Sequence, residues 1–255
     1  MHQFFIPAAQ EGKEFVTILG QDVNHIKNVL RMRTGEEIRV SSENGQDHFC
    51  RITEITDEFV QADILRPAEN TELPSPVYLF QALPKGDRME TVIQKAVELG
   101  VHEIIPVEMK YCVVKLDAKK AQTKARRWQA IAESAAKQSK RSRIPHISEP
   151  VTLRQAFAYA KKTGGTLIVP YENERGMAAT KDTVLGLKPG EPVSVMIGPE
   201  GGFAPEEIEI LRPEAKVISL GKRILRTDTA AIAALSVLML HLETVWEEES
   251  NGDIS

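Results

Sequence analysis

The stretch EPVSVMIGPEGGF, residues 191–203, passes from a run of apolar residues directly into a glycine-rich turn. Its apolar residues follow one another, so a strand formed by them would be buried on both faces. VYLFQAL (77–83) and TLIVP (166–170) have the same character. Strands buried on both faces are typical of a parallel sheet that is covered by helices. We therefore predict an α/β domain over residues 73–255.

Helical patterns alternate with these strands. Further strands are predicted at EIIPV (103–107) and AKVISLG (215–221). Apolar spacing and end signals predict helices at 88–99, about 117–138, 152–162, from Pro205 onward and at 228–245. This strand–helix rhythm supports the same α/β assignment.

The N-terminal part of the chain has a different rhythm. Short, partly alternating runs predict four strands, at EFVTILG (14–20), EEIRVSS (36–42), QDHFCRITEIT (46–56) and EFVQADILR (58–66). One helix is predicted after Asp22, and Asn44-Gly45 is typical of a hairpin turn. Several short strands in so short a segment favour a small β-barrel over residues 1–72, followed by a proline-rich linker.

Composition excludes several classes of protein. The chain has 255 residues, of which 42% are apolar and 27% charged, and this excludes a fibrous or wholly disordered protein. Cys50 and Cys112 form no CxxC motif, so neither a disulfide framework nor a cysteine metal site is expected. The longest apolar run, residues 230–240, is shorter than the ~18 residues of a membrane span. With no secretory signal pattern, the expected compartment is the cytoplasm.

Charge is distributed unevenly. The chain carries a net charge of −4, but residues 110–145 contain eleven Lys and Arg against two acids, and the stretch 243–255 contains five acids and no Lys or Arg. This segregation indicates a local surface for a polyanion, and a solvated helix face is the alternative.

Three predicted strand ends carry unusual residues, and in an open parallel sheet ligands gather at those ends. They are Val169–Glu172, Ile197–Phe203 and Leu220–Ala230. The GPEGG turn matches neither the dinucleotide motif GxGxxG nor the phosphate loop. Its glycines can bring backbone groups close to a ligand, so we favour a ligand loop over a plain strand-to-helix turn.

The third strand end, LGKRILRTDTAA (220–231), places Arg223 and Arg226 beside Asp228 before an apolar helix. Such a cluster is costly to bury unless it is paired, so it is either functional or a structural ion pair between Arg226 and Asp228. The sequence contains no GxSxG, HExxH or HxxxH pattern, which disfavours a hydrolase or a metal site.

Together, IGPEGGF and LGKRILRTDTAA resemble the C-terminal signature of the SPOUT superfamily of RNA methyltransferases. Within it they resemble the RsmE-type enzymes, which methylate N3 of a uridine in small-subunit (16S) ribosomal RNA. NHIKNVLRMRTGEEI (24–38), KGDRMETVIQKAVELGV (85–101) and RRWQAIAESAAKQSKRSRIP (126–145) resemble other motifs of that family. The chain departs from the family pattern at Asp228, where the family usually has Glu, and at Lys222, where it usually has Pro.

The resemblance implies a PUA-like RNA-binding barrel, a C-terminal domain with a trefoil knot, and a homodimer. It implies S-adenosyl-L-methionine as cofactor and small-subunit ribosomal RNA, free or assembled, as partner. The strand ends place the expected cofactor-binding residues at Pro170, Tyr171, Ile197, Gly198, Gly201, Gly202, Leu220, Gly221, Ile224 and Leu225.

Arg226 and Asp228 are the expected catalytic residues. Arg226 would stabilise a uracil anion, and Asp228 would orient Arg226, cap the last helix or accept a proton. We favour the orienting role. The expected RNA-binding residues are Arg31, Arg33, Lys124, Arg126, Arg127, Lys137, Lys140, Arg141 and Arg143. The alternative is that the chain is a non-catalytic RNA-binding or ribosome-assembly protein. A different nucleotide-dependent enzyme is disfavoured because this chain lacks a phosphate-binding motif.

Overall fold

The computed structural model describes residues 1–252 and divides the chain into two compact units. The first contains residues 1–72 and 136–144, and the second contains residues 73–135 and the chain from residue 145 onward. The sequence predicts a continuous second domain, and the structure differs at residues 136–144. These residues join the first unit because their charged and polar groups bond to it, as described below.

The first unit is built on a five-stranded sheet. Its strands are β1 (Gln3–Ile6), β2 (Phe15–Leu19), β3 (Glu37–Ser42), β4 (Asp47–Ile55) and β5 (Phe59–Pro67), in the order β1-β3-β4-β5-β2. β1 pairs in parallel with β3, and the other pairs are antiparallel. β2 to β5 match the four predicted strands, whereas β1 was not predicted.

Alternating residues of these strands form the core of the first unit. Val16, Ile18, Ile38 and Val60 are buried. Cys50 is buried among them as a free thiol. Burial raises the pKa of that thiol to about 12, helped by the negative charges of Glu11 and Asp63.

A short helix, α1 (Gln21–Asn24), follows β2 and continues as a π-helical turn at His25–Val29. It begins after Gly20, and no side chain caps it, so the expected cap by Asp22 is absent.

The second unit contains a parallel sheet, as predicted. Its strands are β6 (Val77–Ala82), β7 (Glu103–Glu108), β8 (His146–Ile147), β9 (Val151–Thr152), β10 (Thr166–Pro170), β11 (Val193–Ile197) and β12 (Ala215–Ile218). The order is β12-β10-β11-β6-β7-β8, with β9 also pairing with β7, and every pair is parallel. All five residues of β11 are buried.

Helices connect these strands. They are α2 (Arg88–Glu98), α3 (Ala118–Ser139), α4 (Leu153–Thr163), α5 (Ala178–Leu185), α6 (Pro205–Leu211) and α7 (Thr227–Gly252). All except α5 match predicted helices. The carboxyl ends of β10, β11 and β12 lie at one edge of the sheet, because the three strands are parallel neighbours.

The last helix, α7, is exposed over much of its length. Among residues 1–252 it is the one helix whose length and composition would allow it to cross a membrane, and 28% of its most apolar window is buried. The apolar run at 230–240 is itself too short to span a membrane, and the helix meets the length criterion because it continues beyond that run. Core helices of soluble proteins also meet these criteria, so the indication is weak.

Candidate active site

A cavity of about 380 Å³ lies where β10, β11 and β12 end. Its walls come from three segments, at residues 170–175, 197–203 and 219–230. These are the three strand ends that the sequence indicated. A volume of this size is within the range of about 300–1,000 Å³ that small-molecule sites occupy.

Every residue proposed from the sequence to bind the cofactor lines this cavity. They are Pro170, Tyr171, Ile197, Gly198, Gly201, Gly202, Leu220, Gly221, Ile224 and Leu225. The cavity also contains residues that the sequence analysis did not assign to it, among them Glu172, Arg175, Phe203, Ser219, Lys222 and Thr227. Glu172 could have been expected, because it directly follows Tyr171 at the end of β10.

Three glycines of the segment 197–203 lie where a side chain would not fit. A Cβ atom on Gly198 would lie 2.9 Å from the ring of Phe203, and one on Gly201 would lie 2.9 Å from Cβ of Tyr111. A Cβ atom on Gly202 would lie 1.9 Å from Oε1 of Glu172, and Gly202 has a φ of +73°, which other residues rarely adopt. These glycines are therefore needed for close packing at the cavity, beyond what a turn alone requires.

An ion pair anchors the same loop at Glu200. The Glu200 carboxylate accepts a hydrogen bond from the backbone N–H of Lys85 at 3.0 Å and one from the Arg88 guanidinium at 2.6 Å. Burial acts to raise the pKa of Glu200, but the backbone hydrogen bonds and the charge of Arg88 outweigh it, so the pKa is lowered. The loop is thus fixed to the start of α2 by a charged group.

Glu207 anchors the other end of the loop. Its buried carboxylate accepts hydrogen bonds from the backbone N–H groups of Ala204 and Lys110, at 2.9 and 2.8 Å. The first of these bonds lies at the N-terminus of α6, where N–H groups lack helical partners. The loop between Glu200 and Glu207 is therefore held at both ends, which lowers the entropy cost of ordering it when a ligand binds.

The two expected catalytic residues are both placed near the cavity. Arg226 lines it and is exposed. Asp228 is half-buried on the first turn of α7, and its Oδ1 atom is buried without a hydrogen-bond partner among residues 1–252. Within that part of the chain no ion pair joins Asp228 to Arg226. Asp228 therefore does not hold Arg226 in this structure.

The residues expected to bind RNA are divided between the two units. Arg31, Arg33, Lys137, Lys140, Arg141 and Arg143 belong to the first unit, and Lys124, Arg126 and Arg127 belong to the second. Arg31, Arg33, Arg126 and Arg127 are exposed. Arg31 and Lys140 have positive φ angles of 54° and 63°, which non-glycine residues adopt rarely and often at functional positions.

Arg141 was expected to bind RNA, but the structure places it in the interior of the first unit. It is 2% exposed, and its guanidinium donates two hydrogen bonds to the carboxylate of Glu72. The adjacent Ser142 donates its hydroxyl hydrogen to Asp47, which also forms an ion pair with Arg39. Arg141 therefore holds residues 136–144 to the first unit and is not available to phosphates. Nothing in the run of basic residues indicates this burial.

Comparison with known proteins agrees with the geometry. Residues 71–239 match the model of an RNA methyltransferase domain, and residues 18–65 match that of an RNA methyltransferase PUA domain. The chain is 35% identical to ribosomal RNA small subunit methyltransferase E of Bacillus subtilis, over 95% of this chain and 98% of that protein. It is 28% identical to the protein of that name from Mycobacterium tuberculosis, over 97% of this chain and 94% of that one.

A solved structure shows the same similarity. Ribosomal RNA small subunit methyltransferase E of Neisseria gonorrhoeae, bound to S-adenosyl methionine, matches with a TM-score of 0.80 and 31% identity. The match covers 94% of this chain and 97% of that one. These similarities confirm the resemblance found in the sequence, and the chain belongs to the ribosomal RNA small subunit methyltransferase E family.

Proposed function

We propose that this chain transfers a methyl group from S-adenosylmethionine to N3 of a uridine in small-subunit (16S) ribosomal RNA. The observation that carries the proposal is the cavity at the ends of β10, β11 and β12, which all ten residues expected to bind the cofactor line. Family membership supports the reaction class, and the Neisseria gonorrhoeae structure, bound to S-adenosyl methionine, supports the cofactor. We also propose the trefoil knot of the SPOUT superfamily for the second unit, on the family resemblance.

The cavity fits this cofactor chemically. Leu220, Ile224 and Leu225 supply apolar surface suited to an adenine ring. The glycines at 198, 201 and 202 allow the loop to pack closely at the cavity, because a Cβ atom at each position would lie less than 3.0 Å from a neighbouring side chain. The chemistry that S-adenosylmethionine supplies when bound is a methyl group on a positively charged sulfur, an electrophile for a deprotonated uracil N3.

Arg226 is proposed to stabilise the uracil anion. N3 of uracil carries a proton, and its loss places negative charge on O2 and O4. The exposed Arg226 guanidinium at the cavity can donate hydrogen bonds to one of these oxygens. The bonds would be strongest when the charge is fully developed, so they would accelerate the reaction more than they strengthen substrate binding.

Asp228 is proposed to accept a hydrogen bond from N3–H of the uracil, or to take the N3 proton. Its Oδ1 atom is buried and has no partner among the described residues, and a buried polar atom without a partner is unusual. Asp228 directly follows Arg226 and Thr227, which line the cavity, and its carboxylate would have to turn towards the cavity to receive the proton. This role replaces the orienting role, which requires a contact with Arg226 that the structure does not contain.

Exposed basic residues are proposed to bind the phosphates of the RNA. In the first unit these are Arg31 and Arg33, and in the second they are Arg126 and Arg127. Arg127 also pairs with Glu90 at 2.7 Å, so only part of its charge is free for RNA. Binding through phosphates should weaken as the salt concentration rises.

We further propose that the chain acts as a homodimer. α7 leaves Val237, Leu240 and Trp246 exposed by 46%, 61% and 52%, although the helix packs on one side against α2. Val237 and Leu240, three positions apart, share one face of the helix, whereas Trp246 lies on another. An exposed apolar helix face is typical of an interface. A second copy of this chain is the partner that the family resemblance implies.

The reaction is tested with single-turnover kinetics on small-subunit RNA. Arg226→Ala should lower the methyl-transfer rate by about 100-fold or more, with the affinity for S-adenosylmethionine changed little. Asp228→Asn should cause a comparable loss if the carboxylate accepts the proton. Arg154→Ala changes an exposed arginine outside the cavity and should have no effect.

The outcomes separate the proposed roles. Near-normal transfer by Arg226→Ala would remove Arg226 from the mechanism, and near-normal transfer by Asp228→Asn would do the same for Asp228. A wild-type protein that binds RNA but not S-adenosylmethionine would instead favour a non-catalytic RNA-binding or ribosome-assembly protein.

A further inference from the structure

A hydrogen-bonded pair of buried polar side chains lies at the wall of the cavity, which Thr227 helps to line. Gln81, on β6, is fully buried, and its Nε2 group donates a hydrogen bond to Thr227 Oγ1 at 2.9 Å. Thr227 is 4% exposed, and its hydroxyl donates to the backbone oxygen of Gly198 at 2.8 Å. Neither Gln81 nor Thr227 is among the residues expected from the sequence to be catalytic or to bind the cofactor.

Sheet topology explains why these groups meet. β6 and β11 are parallel neighbours, and Gln81 lies opposite Ile197 in their register. Gly198 is the first residue after β11, where the cavity segment 197–203 begins. Thr227 is the first residue of α7 and belongs to another lining segment, 219–230. The Thr227 hydroxyl therefore connects two walls of the cavity.

Gln81 fixes the direction of the Thr227 hydroxyl. A hydroxyl can donate or accept, but the Gln81 NH₂ group can only donate. Thr227 Oγ1 must therefore accept from Gln81, and its own hydrogen is free for the Gly198 carbonyl. The Gln81 NH₂ group also donates to the backbone oxygen of Ala82 at 3.1 Å, which fixes its orientation.

This arrangement carries a cost that packing alone does not explain. Oε1 of Gln81 is buried without a hydrogen-bond partner among residues 1–252. An apolar side chain at this position would avoid an unpaired buried oxygen, which is unfavourable. A group that aligns the Gly198 loop gives a reason for a glutamine here.

We propose that Gln81 and Thr227 are positioning residues that hold the Gly198 carbonyl, and with it the cofactor loop, in the geometry that binds S-adenosylmethionine. This inference rests on the proposed function, because it takes S-adenosylmethionine as the ligand of the cavity. Neither residue is proposed to take part in the chemical step. Thr227 acts through Gly198, and Gln81 acts through Thr227.

The test compares Thr227→Val with Thr227→Ser by titration calorimetry with S-adenosylmethionine. Valine has the shape of threonine but no hydroxyl, so the Gly198 carbonyl loses its partner. We expect the Kd to rise about tenfold or more, in line with the loss of a buried hydrogen bond. Serine keeps the hydroxyl, and its Kd should stay within about threefold of the wild-type value. Gln81→Met, which removes the donor, should resemble Thr227→Val.

Thr163→Val is the matched control. Thr163 also donates its hydroxyl hydrogen to a backbone oxygen, that of Ala160 at 2.8 Å, but it does not line the cavity. The Tm of the Thr163→Val protein should fall while its Kd for S-adenosylmethionine stays unchanged. This control separates a loss of stability from a loss of positioning. In saturating cofactor, Thr227→Val should recover most of its kcat, because the defect lies in KM for S-adenosylmethionine.

Two results would overturn the inference. One is a Thr227→Val protein that binds S-adenosylmethionine as tightly as the wild type. The other is a Thr227→Ser protein as weak as Thr227→Val, which would attribute the effect to packing of the missing methyl group. Failure of the wild-type protein to bind S-adenosylmethionine would be a different result, because it would refute the cofactor assignment itself.

Discussion

Replacing Gly202 with valine should weaken binding of S-adenosylmethionine while the chain stays folded. Gly202 has a φ of +73°, and a Cβ atom there would lie 1.9 Å from Glu172 Oε1 and 2.9 Å from its Cδ. The left-handed backbone costs a side chain about 1–2 kcal/mol, and more for a branched one such as valine. Glu172 must also move, but its carboxylate is the end of a flexible side chain, so that movement is cheap.

These costs are smaller than the ~5–15 kcal/mol by which a native domain is typically stable. The effect on ligand binding should be larger than the effect on folding, because Gly202 and Glu172 both line the cavity. Extra atoms in a well-packed site cost about 1–3 kcal/mol, which corresponds to about a 5- to 150-fold rise in Kd. Titration calorimetry with S-adenosylmethionine measures that Kd, and thermal unfolding measures the stability of the same sample.

Gly190→Val is the matched control for backbone strain. Gly190 has a φ of +86°, but nothing lies within 4 Å of its Cβ position, and it is outside the cavity. Gly190→Val should therefore lose a similar amount of stability and keep its affinity. A Kd within twofold of the wild-type value for Gly202→Val would refute the placement of the cofactor against this loop.

Three further predictions concern charge, thiols and assembly. Glu200→Gln should lower the free energy of unfolding by about 1 kcal/mol at neutral pH. Because the folded-state pKa of Glu200 lies below its ordinary value of 4.5, the stability that its charge provides is present above that pH and is lost on acidification. Urea unfolding should therefore show that the difference in stability between the two proteins shrinks as the pH falls below 4.5. A difference that grows on acidification would contradict the ion pair with Arg88. Cys50 should not react with a thiol reagent at pH 8 until urea unfolds the chain, because burial raises its pKa to about 12, and rapid labelling of the native protein at Cys50 would contradict the buried core. Light scattering should give about twice the chain mass of 28.4 kDa, and Leu240→Glu should shift the protein toward the monomer. A wild-type monomer that still transfers methyl groups would contradict the proposal that the chain acts as a homodimer.

Local patterns in the sequence predicted most of the fold. Strands such as β10 and β11 are continuous apolar runs, and their burial on both faces in a parallel sheet follows from that pattern. β1, with four residues before Pro7, is too short to show a period, and β8 and β9 have two residues each. The helix α5, AATKDTVL, has no clear apolar face, so periodicity could not indicate it.

The cavity was predictable because its residues follow three strand ends in sequence. The contacts that depend on distant parts of the chain were not. Arg141 pairs with Glu72 across 69 positions, and Thr227 pairs with Gln81 across 146. Nothing local to Arg141 distinguishes it from the exposed Arg126, so a run of charges cannot indicate which of its members is buried.

The central claim is tested most directly by mapping the modified nucleotide. Small ribosomal subunits, and free 16S RNA, from cells that lack this protein are incubated with the purified chain and with S-adenosylmethionine labelled in its methyl group. We expect one labelled nucleotide, a uridine methylated at N3, and labelling by Arg226→Ala that is slower by about 100-fold or more. Label on another base or another atom of uridine, or no transfer by a wild-type protein that binds the cofactor, would contradict it.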